Sequence, residues 1–352
     1  MDLSKLPQTP EEISASWLTE ALAETHPGVR AKKIDLVDAH SGTTGRARNQ
    51  VSWEGEGAPA NSLFVKLPPT NEISKQMVLA TGMGRREARF YQHVAAHVPV
   101  RVPRPLWAVS NEEGSAYLML LEDLEVAGCV FPGPDDPKVL PLAESLMAAL
   151  GQLHASYAIG DGAEVAIEGI EPPMRNDWGQ ILVESALTQF EAEMPEEFSR
   201  LGRLYLEKNA AFQNLLETGP STLIHGDPHI GNLFLEGRTV GFLDWACTAV
   251  GVGVRDVAYF LCNSMPADIR RMHEKRLLAI YQESLAAGGC RLDLATIEED
   301  YRRFSAYAWI AAVTTLAAGD RMQSLAIGRA ATERANQAIR DLGTFEYFRD
   351  RL

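Results

Sequence analysis

Residues 222–256 read TLIHGDPHIGNLFLEGRTVGFLDWACTAVGVGVRD. Short apolar runs precede Asp227 and Asp244, another follows Asn232, and glycines lie close to each run. Runs this short favour strands over helices. The stretch therefore predicts a strand, a loop that carries Asp227, and a hairpin that holds Asn232 and Asp244 near each other.

These three side chains form the set that phosphoryl transfer requires. Asp227 would orient and deprotonate the attacking hydroxyl, while Asn232 and Asp244 would hold Mg²⁺ on the nucleotide phosphates. The Asp-x-x-x-x-Asn spacing matches the kinase catalytic loop. Asp and Asn prefer loops in any protein, so either residue alone indicates little. The ordered set is the informative signal.

The stretch resembles the aminoglycoside phosphotransferase and choline kinase superfamily of small-molecule kinases. The superfamily pattern His-Gly-Asp-x-His-x-x-Asn stands here at 225–232, and Leu-Asp-Trp stands at 243–245. Asp256 begins a segment that is similar to the superfamily's Asp-Leu-Ala, which opens the next helix. The resemblance implies an enzyme that moves the γ-phosphoryl group of ATP, with Mg²⁺, to a hydroxyl of a small molecule.

The resemblance also implies an α+β, protein-kinase-like bilobal fold. A small β-rich N-terminal lobe would cover residues 1–121. Independently of the resemblance, the residues Thr-Pro-Glu-Glu at 9–12 predict a helix start capped by Thr9. A hinge would cover 122–130. A larger, mainly helical C-terminal lobe, 131–352, would carry the catalytic loop, the metal site and the acceptor-binding helices.

A turn-like segment between two predicted strands of the first lobe is a candidate phosphate cap. It contains Ser41, Gly42, Thr43 and Thr44. Such a hairpin loop would bind phosphates through backbone N–H groups and hydroxyls. A plain Gly-Thr hairpin explains the segment equally well, and its place before the strand that contains Lys66 is what favours the functional interpretation.

Lys66 is the one charged residue in the apolar segment 63–67, where kinases place a lysine that neutralises nucleotide phosphates. Glu87 heads a Glu-x-x-x-Tyr segment, similar to that of the superfamily, in a helix predicted over 85–98. We predict that Lys66 and Glu87 form the kinase ion pair. The alternative is two solvated charges, worth only ~0–1 kcal/mol as a pair.

The remaining site residues follow from the resemblance. Leu121 and Glu122 would belong to the hinge whose backbone holds the adenine. His225 would brace the catalytic loop, and Asp256 would tie the following helix to that loop. His229 would be structural, with contact to the acceptor or a phosphate as the alternative. Two His and two Asp also permit zinc, but the kinase spacing favours Mg²⁺, which takes oxygen ligands.

The composition narrows the partners. The 352 residues include 33 Lys and Arg against 47 Asp and Glu, a formal net charge of −14. Such a charge disfavours nucleic acid and anionic membranes as partners. The N-terminus has no apolar signal core, the four cysteines show no metal-ligand spacing, and the apolar run 306–318 is too short to cross a bilayer. We expect a cytoplasmic enzyme; its oligomeric state is open.

The acceptor is indicated only by general features. The aromatic residues that would suit an apolar alcohol are Trp178, Tyr259, Tyr307 and Trp309. The segments 120–124 and 256–261 resemble the ecdysteroid kinase-like branch. An apolar or steroid-like alcohol is therefore favoured over an aminoglycoside or choline, while ATP and GTP stay open. The alternative function is a nucleotide-binding regulatory pseudokinase, which loss of Asp227 or Asp244 would have indicated.

Overall fold

The computed structural model describes residues 3–133, 136, 138–158, 167–174, 177–319 and 323–352. Tertiary contacts divide the chain into two units. Unit 1 comprises Met1–Val130, Ala166–Glu171 and Phe234–Thr248. Unit 2 comprises Phe131–Val165, Pro172–Leu233 and Ala249–Leu352.

Unit 1 is built on a five-stranded antiparallel sheet with the order β1-β2-β3-β5-β4. The strands are β1 Arg30–Ser41, β2 Gly45–Glu54, β3 Ser62–Leu67, β4 Pro105–Ser110 and β5 Tyr117–Glu122. Alternate residues Leu63, Val65 and Leu67 of β3 join the buried core of the unit. Lys66 therefore lies on the opposite face of β3, because successive side chains of a strand point to opposite faces.

The N-terminal helix, α1 (Ala15–Ala21), packs Leu18 into the same core. Its start differs from the prediction. The Ser14 hydroxyl accepts a hydrogen bond from the Trp17 N–H, as an N-cap does. Thr9 precedes only a 3₁₀ turn, Pro10–Glu12, and makes no side-chain cap bond. The prediction of Thr9 as the helix cap was therefore wrong.

Two helices follow β3: α2 (Glu72–Thr81) and α3 (Met83–Arg89). The helix predicted over 85–98 is not continuous, because α3 passes into a π-helical turn, Phe90–Val94. Gly84 explains the close approach of α3 to the sheet. A Cβ at this position would lie 2.0 Å from the Tyr117 ring, so a larger residue would push away the helix that carries Glu87.

Unit 2 is mainly helical. Its helices are α4 Val139–Ser156, α5 Trp178–Phe190, α6 Glu196–Glu207, α7 Asn209–Leu216, α8 Val254–Asn263, α9 Ala267–Ala287, α10 Leu294–Ala318, α11 Leu325–Asp341 and α12 Thr344–Arg349. The apolar run 306–318 lies within α10 and is largely buried. Across the described part of the chain, no helix has the length and hydropathy that a membrane span needs.

Four short strands lie between residues 221 and 252, around the predicted catalytic loop. They are β6 Ser221–Ile224, β7 Leu233–Glu236, β8 Thr239–Phe242 and β9 Ala249–Val252. β6 pairs with β9, and β7 pairs with β8. The predicted strand, loop and hairpin are thus all present, and the α+β prediction is confirmed.

The two units do not follow one linear boundary. Phe234–Thr248 groups with unit 1, since Phe242 donates its N–H to the Arg101 carbonyl at 2.8 Å and Val130 donates to Leu235 at 2.9 Å. The predicted functional division into an N-terminal lobe (1–121), a hinge (122–130) and a C-terminal lobe (131–352) stays a prediction.

Candidate active site

Lys66 and Glu87 form the predicted ion pair within unit 1. Lys66 Nζ lies 2.6 Å from Glu87 Oε1 and 2.5 Å from Oε2, and both side chains are almost fully buried. Burial raises the pKa of Glu87, and the neighbouring Lys66 opposes that rise. The alternative of two solvated charges is therefore wrong, while the role of Lys66 on a phosphate stays a prediction.

Asp244 completes this charged cluster. Lys66 Nζ lies 3.2 Å from Asp244 Oδ1, and Arg46 Nη2 lies 3.4 Å from Oδ2. Among the described residues Asp244 is also the sole non-glycine with a positive φ, 64°. The left-handed conformation costs an L-residue about 1–2 kcal/mol, and such strain concentrates at functional sites. No local sequence pattern indicated this backbone conformation or a contact between Arg46 and Asp244.

An aromatic stack connects the segment that contains Asp244 to the helix of Glu87. The rings of Phe90 and Trp245 lie parallel, with centroids 3.9 Å apart and an interplanar angle of 7°. Trp245 follows Asp244 directly, and Phe90 lies three residues after Glu87. Because both rings are fully buried, the stack fixes the two carboxylates relative to each other.

The segment 41–44 forms the tip of the β1–β2 hairpin. Ser41 pairs with Gly45, and the Gly42 N–H donates to the Thr44 carbonyl at 3.1 Å. The Ser41 hydroxyl accepts a hydrogen bond from the Thr70 N–H at 3.0 Å. Thr43 is half-buried, and Thr44 is buried. Its hydroxyl has no hydrogen-bond partner. Phosphate binding by this hairpin stays a prediction.

The hinge residues differ in what they offer a nucleotide base. Leu121 is a buried residue of β5. The Glu122 N–H already donates to the Arg104 carbonyl at 2.9 Å, and the Glu122 carboxylate receives two bonds from Arg101 at 2.9 and 2.8 Å. The N–H of Glu122 is therefore not available to adenine.

The catalytic loop lies within unit 2 up to Leu233. Asn232 Nδ2 donates to the Asp227 carbonyl at 2.9 Å and to Asp227 Oδ2 at 3.1 Å. The Asp227 N–H donates to His225 Nδ1 at 3.2 Å, so His225 contacts the loop as predicted. His229 Nδ1 accepts from the Gly231 N–H at 3.0 Å, and its Nε2 lies 3.7 Å from Asp227 Oδ2. These bonds orient Asp227.

Asp256 anchors the start of this loop. Its carboxylate accepts the N–H groups of His225 at 2.6 Å and Gly226 at 2.9 Å. Burial raises the pKa of Asp256, but His154, His225 and the Gly226 N–H together lower it below its usual value. His154 Nε2 lies 3.5 Å from the carboxylate, a contact that the sequence did not indicate.

A second support of the loop was also missed. The Ser264 hydroxyl, at the end of α8, accepts the Ile230 N–H at 3.0 Å. No motif in the sequence marks Ser264, because its role depends on how α8 returns to the loop. Asp256 and Ser264 hold the two sides of Asp227 from the same helix region.

Asn232 and Asp244 each offer an oxygen atom that could bind a metal ion. Asn232 uses its amide nitrogen on Asp227, which leaves the amide oxygen for a metal, and Asp244 supplies a carboxylate. Within the described ranges, His, Cys, Asp and Glu form no group of three that would hold a metal ion. Amide and carboxylate oxygens are the ligands of Mg²⁺.

The four aromatic residues proposed for the acceptor do not form one surface. Trp309 is fully buried, and its indole N–H donates to Asn336 Oδ1 at 2.8 Å, so Trp309 belongs to the helical core. Tyr259 and Tyr307 contact each other, with centroids 5.9 Å apart. Trp178 is 47% exposed at the start of α5. The assignment of Trp309 to the acceptor was wrong.

Unit 1 has a strained carboxylate next to a buried lysine–glutamate pair, and unit 2 has a loop in which an asparagine orients an aspartate. These are the kinds of group that phosphoryl transfer requires. Residues 44–307 match the sequence model of the phosphotransferase enzyme family. The chain belongs to this family, and the predictions of the superfamily and of a phosphotransferase enzyme are confirmed. No curated protein is similar enough to the chain to count as a match.

Solved structures show the same fold. A candidate aminoglycoside phosphotransferase from Ralstonia eutropha JMP134 has a TM-score of 0.55 at 14% identity, over 96% of this chain and 99% of its own. A choline/ethanolamine kinase family protein from Mesorhizobium loti has 0.51 at 13%, over 98% of each chain. The GDP complex of aminoglycoside 2′-phosphotransferase-IIIa has 0.51 at 14%, over 93% and 99%. The predicted kinase-like fold is confirmed.

Proposed function

We propose that the protein is a small-molecule kinase that transfers the γ-phosphoryl group of Mg·ATP to a hydroxyl group. The observation that carries the proposal is the cluster of Lys66, Glu87 and Asp244, in which a buried cation contacts a carboxylate held in a strained conformation. Backbone strain of this kind concentrates at functional sites, and a buried ion pair is only weak evidence of a stabilising role. The cluster suits a site that binds phosphates and a metal.

The residues take the following roles in the proposed reaction. Asp227 accepts a hydrogen bond from the acceptor hydroxyl and takes its proton. The hydroxyl oxygen bonds to the γ-phosphorus while the bond from that phosphorus to the β,γ-bridging oxygen breaks, which yields a phosphate ester and ADP. Lys66 holds a phosphate, and Glu87 keeps Lys66 charged and in place.

Asn232 and Asp244 would hold Mg²⁺. The bound ion supplies charge neutralisation on the phosphate oxygens. The two ligating residues are constrained independently of any metal, Asn232 by its two bonds to Asp227 and Asp244 by Lys66 and Arg46. This constraint supports their role, because metal ligands need a fixed orientation.

The acceptor is proposed to be a small hydroxylated molecule. The structural neighbours are described as acting on aminoglycosides, choline or ethanolamine, so the fold accommodates unrelated acceptors. Trp309 and Tyr259 are both buried, whereas Tyr307 is half-buried and contacts the catalytic loop through Gly226. The ring of Tyr307 supports contact with an apolar part of the acceptor.

The test is a screen of hydroxylated metabolites with Mg·ATP and, in parallel, Mg·GTP, read out as nucleoside diphosphate release and a product mass increase of one phosphoryl group. Thermal stabilisation by nucleotide should be larger with Mg²⁺ than with EDTA, because a ligand of the native state adds RT ln(1 + [L]/Kd). Equal shifts with and without Mg²⁺, together with no turnover, would instead favour the pseudokinase.

A further inference from the structure

Arg255 lies beside the catalytic loop and has no role in the chemistry described above. It is the second residue of α8, directly before Asp256. Its Nη2 donates to the Tyr307 hydroxyl on α10, and its guanidinium carbon lies 3.8 Å over the Tyr307 ring. The Tyr307 hydroxyl donates to the Gly226 carbonyl at 3.4 Å. Two hydrogen bonds therefore connect this cation to the residue before Asp227.

Over the described ranges Arg255 makes no ion pair, and its Nε is buried without a hydrogen-bond partner. Arg303 also has a buried Nε without a partner, but its Nη2 pairs with Asp300. Arg302 shares both features of Arg255, and the position beside the catalytic loop is what distinguishes Arg255. A buried donor without a partner is destabilising, and more so when it is charged. Acidic residues outnumber basic ones in this chain, so the missing carboxylate is not due to scarcity.

We propose that Arg255 binds a carboxylate group of the acceptor, so that the substrate is a hydroxy acid. The inference rests on the proposed kinase function. The planar guanidinium matches a carboxylate with two parallel hydrogen bonds. Nε is buried and Nη2 already donates one N–H to Tyr307, so the fork would use Nη1 and the second N–H of Nη2. Asp227 repels an anion and accepts a hydroxyl, so the two residues together orient the acceptor.

Tyr307 has a separate part in this arrangement. Its ring is half-buried and contacts Tyr259, so it offers an apolar wall beside the guanidinium. Its hydroxyl accepts from Arg255 and donates to the loop carbonyl, which keeps the guanidinium plane next to the loop. A hydroxy acid with an apolar body would thus contact all three features: Asp227, Arg255 and the tyrosine ring.

The experiment uses pairs of acceptors that share one carbon skeleton, each hydroxy acid being compared with its primary amide. ADP release with Mg·ATP is measured for the wild type and for Arg255→Gln. We expect the wild type to prefer the acid. A charged hydrogen bond of the usual strength corresponds to a loss of about 10–100-fold in kcat/KM for the acid in Arg255→Gln, with the amide and the KM for ATP unchanged.

Three further variants separate binding from bracing. Arg255→Lys keeps the charge but not the fork, and we expect it to recover only part of the preference. Tyr307→Phe removes the hydroxyl that holds the guanidinium next to the loop, and it should lower the preference for the acid less than Arg255→Gln does. Arg276→Gln makes the same change of charge on an exposed residue of α9 that pairs with Glu144, and it should behave as the wild type.

Several outcomes overturn the inference. If Arg255→Gln lowers the turnover of acid and amide equally, Arg255 only braces the loop. If the variant raises the KM for ATP, Arg255 acts on the nucleotide. A wild type that phosphorylates only neutral or cationic acceptors contradicts the inference and leaves the kinase function intact.

If the wild type phosphorylates no acceptor of any charge, the kinase function fails, and binding then decides the role of Arg255. Thermal stabilisation by the hydroxy acids, lost in Arg255→Gln and absent for the amides, supports the carboxylate site. Equal stabilisation of both proteins, or none by any acid, overturns it.

Discussion

The two candidate catalytic aspartates are held in opposite ways. Asp244, in unit 1, contacts the side chains of two full cations, Lys66 and Arg46, and its backbone is strained. Asp227, in unit 2, contacts the neutral amide of Asn232 and lies 3.7 Å from His229, with no Lys or Arg partner in the described chain. Its backbone conformation is ordinary.

The difference agrees with the two proposed tasks. A metal ligand must stay anionic throughout the reaction, and adjacent cations stabilise the anion. A base must accept a proton, and a fixed cation beside it would oppose that step. In the proposed reaction, the two cations that contact Asp244 would also be able to bind phosphates. The partners of Asp227 would only orient its carboxylate.

The loop of Asp227 depends instead on backbone hydrogen bonds. Asp256 receives two N–H groups from the residues just before Asp227, and Ser264 receives one from Ile230. Unit 1 thus fixes its carboxylate by charge, and unit 2 fixes its carboxylate by loop geometry. Substitutions at the two places should differ in kind.

The largest effect is expected at Asp227. Asp227→Asn is nearly isosteric, so the loop geometry should survive, but an amide cannot take the hydroxyl proton. General-base assistance is worth about 10²–10⁴ in rate, and kcat should fall by that factor while ATP affinity stays the same. Turnover with an acceptor from the screen and an ATP titration check both parts.

The contradicting result is a variant that retains more than about a tenth of the wild-type kcat, which would remove Asp227 from the base role. Asn232→Asp is an informative companion, since it keeps an oxygen ligand but removes the amide that orients Asp227.

The second effect concerns stability as well as binding. Lys66→Met leaves the fully buried Glu87 without its cation, and breaking a buried pair in this way typically costs about 3–5 kcal/mol. The free energy of unfolding, from urea titration, should fall accordingly, and ATP affinity should fall with it.

The double variant Lys66→Met/Glu87→Gln is the matched control, because it removes both charges. We expect it to recover most of the unfolding free energy but none of the ATP affinity. Normal ATP binding in the double variant would show that the pair has only a structural role.

The residues of the site that belong to short sequence motifs could be predicted from the sequence. The spacing of Asp227 and Asn232 and the single cation at Lys66 identified their structural partners correctly. Ser264 was missed and Arg46 was given no role of its own, since each contacts the site through the tertiary fold rather than through a local pattern. The roles of the aromatic residues in the helices of unit 2 were harder still to predict.

Trp309 illustrates why. A buried tryptophan with a bonded N–H and a tryptophan that lines a cavity have the same local sequence, and only packing separates them. The fold class was easier, because strand length and helical periodicity are local properties. The N-terminal cap was misplaced by five residues for a related reason: Thr9-Pro10 is a valid helix start by composition, but the chain uses Ser14.

The third effect is a pH dependence at Asp256. Its pKa is lowered in the folded protein, so its contribution to stability is fully present above the unfolded value of 3.8 and is lost as the pH falls through the folded value. Asp256→Asn should cost on the order of 1–3 kcal/mol at pH 7, as expected for weakened buried hydrogen bonds. Urea titrations of both proteins at pH 7, 5 and 3 measure the difference.

The direction in which the stability difference changes with pH decides whether the prediction holds. The gap between wild type and Asp256→Asn should be constant from pH 7 to pH 5 and should narrow at pH 3. A gap that widens on acidification would mean that the carboxyl group is protonated in the native state and donates to the loop.

The smallest effect is expected at Arg46, the second cation on Asp244. Its side chain is 43% exposed and its nearest contact is 3.4 Å, so solvent screens the pair to ~0–1 kcal/mol. Arg46→Gln should therefore unfold like the wild type, and its affinity for Mg·ATP should fall only a few-fold, an effect that disappears in high salt because the charge is exposed. Lys33→Gln, which removes a more exposed cation of β1 (69% exposed), is the control and should not change nucleotide binding. A loss of affinity as large as that of Lys66→Met would mean that Arg46, not Lys66, carries the main phosphate contact. The contrast between a buried and an exposed partner of Asp244 would then be reversed.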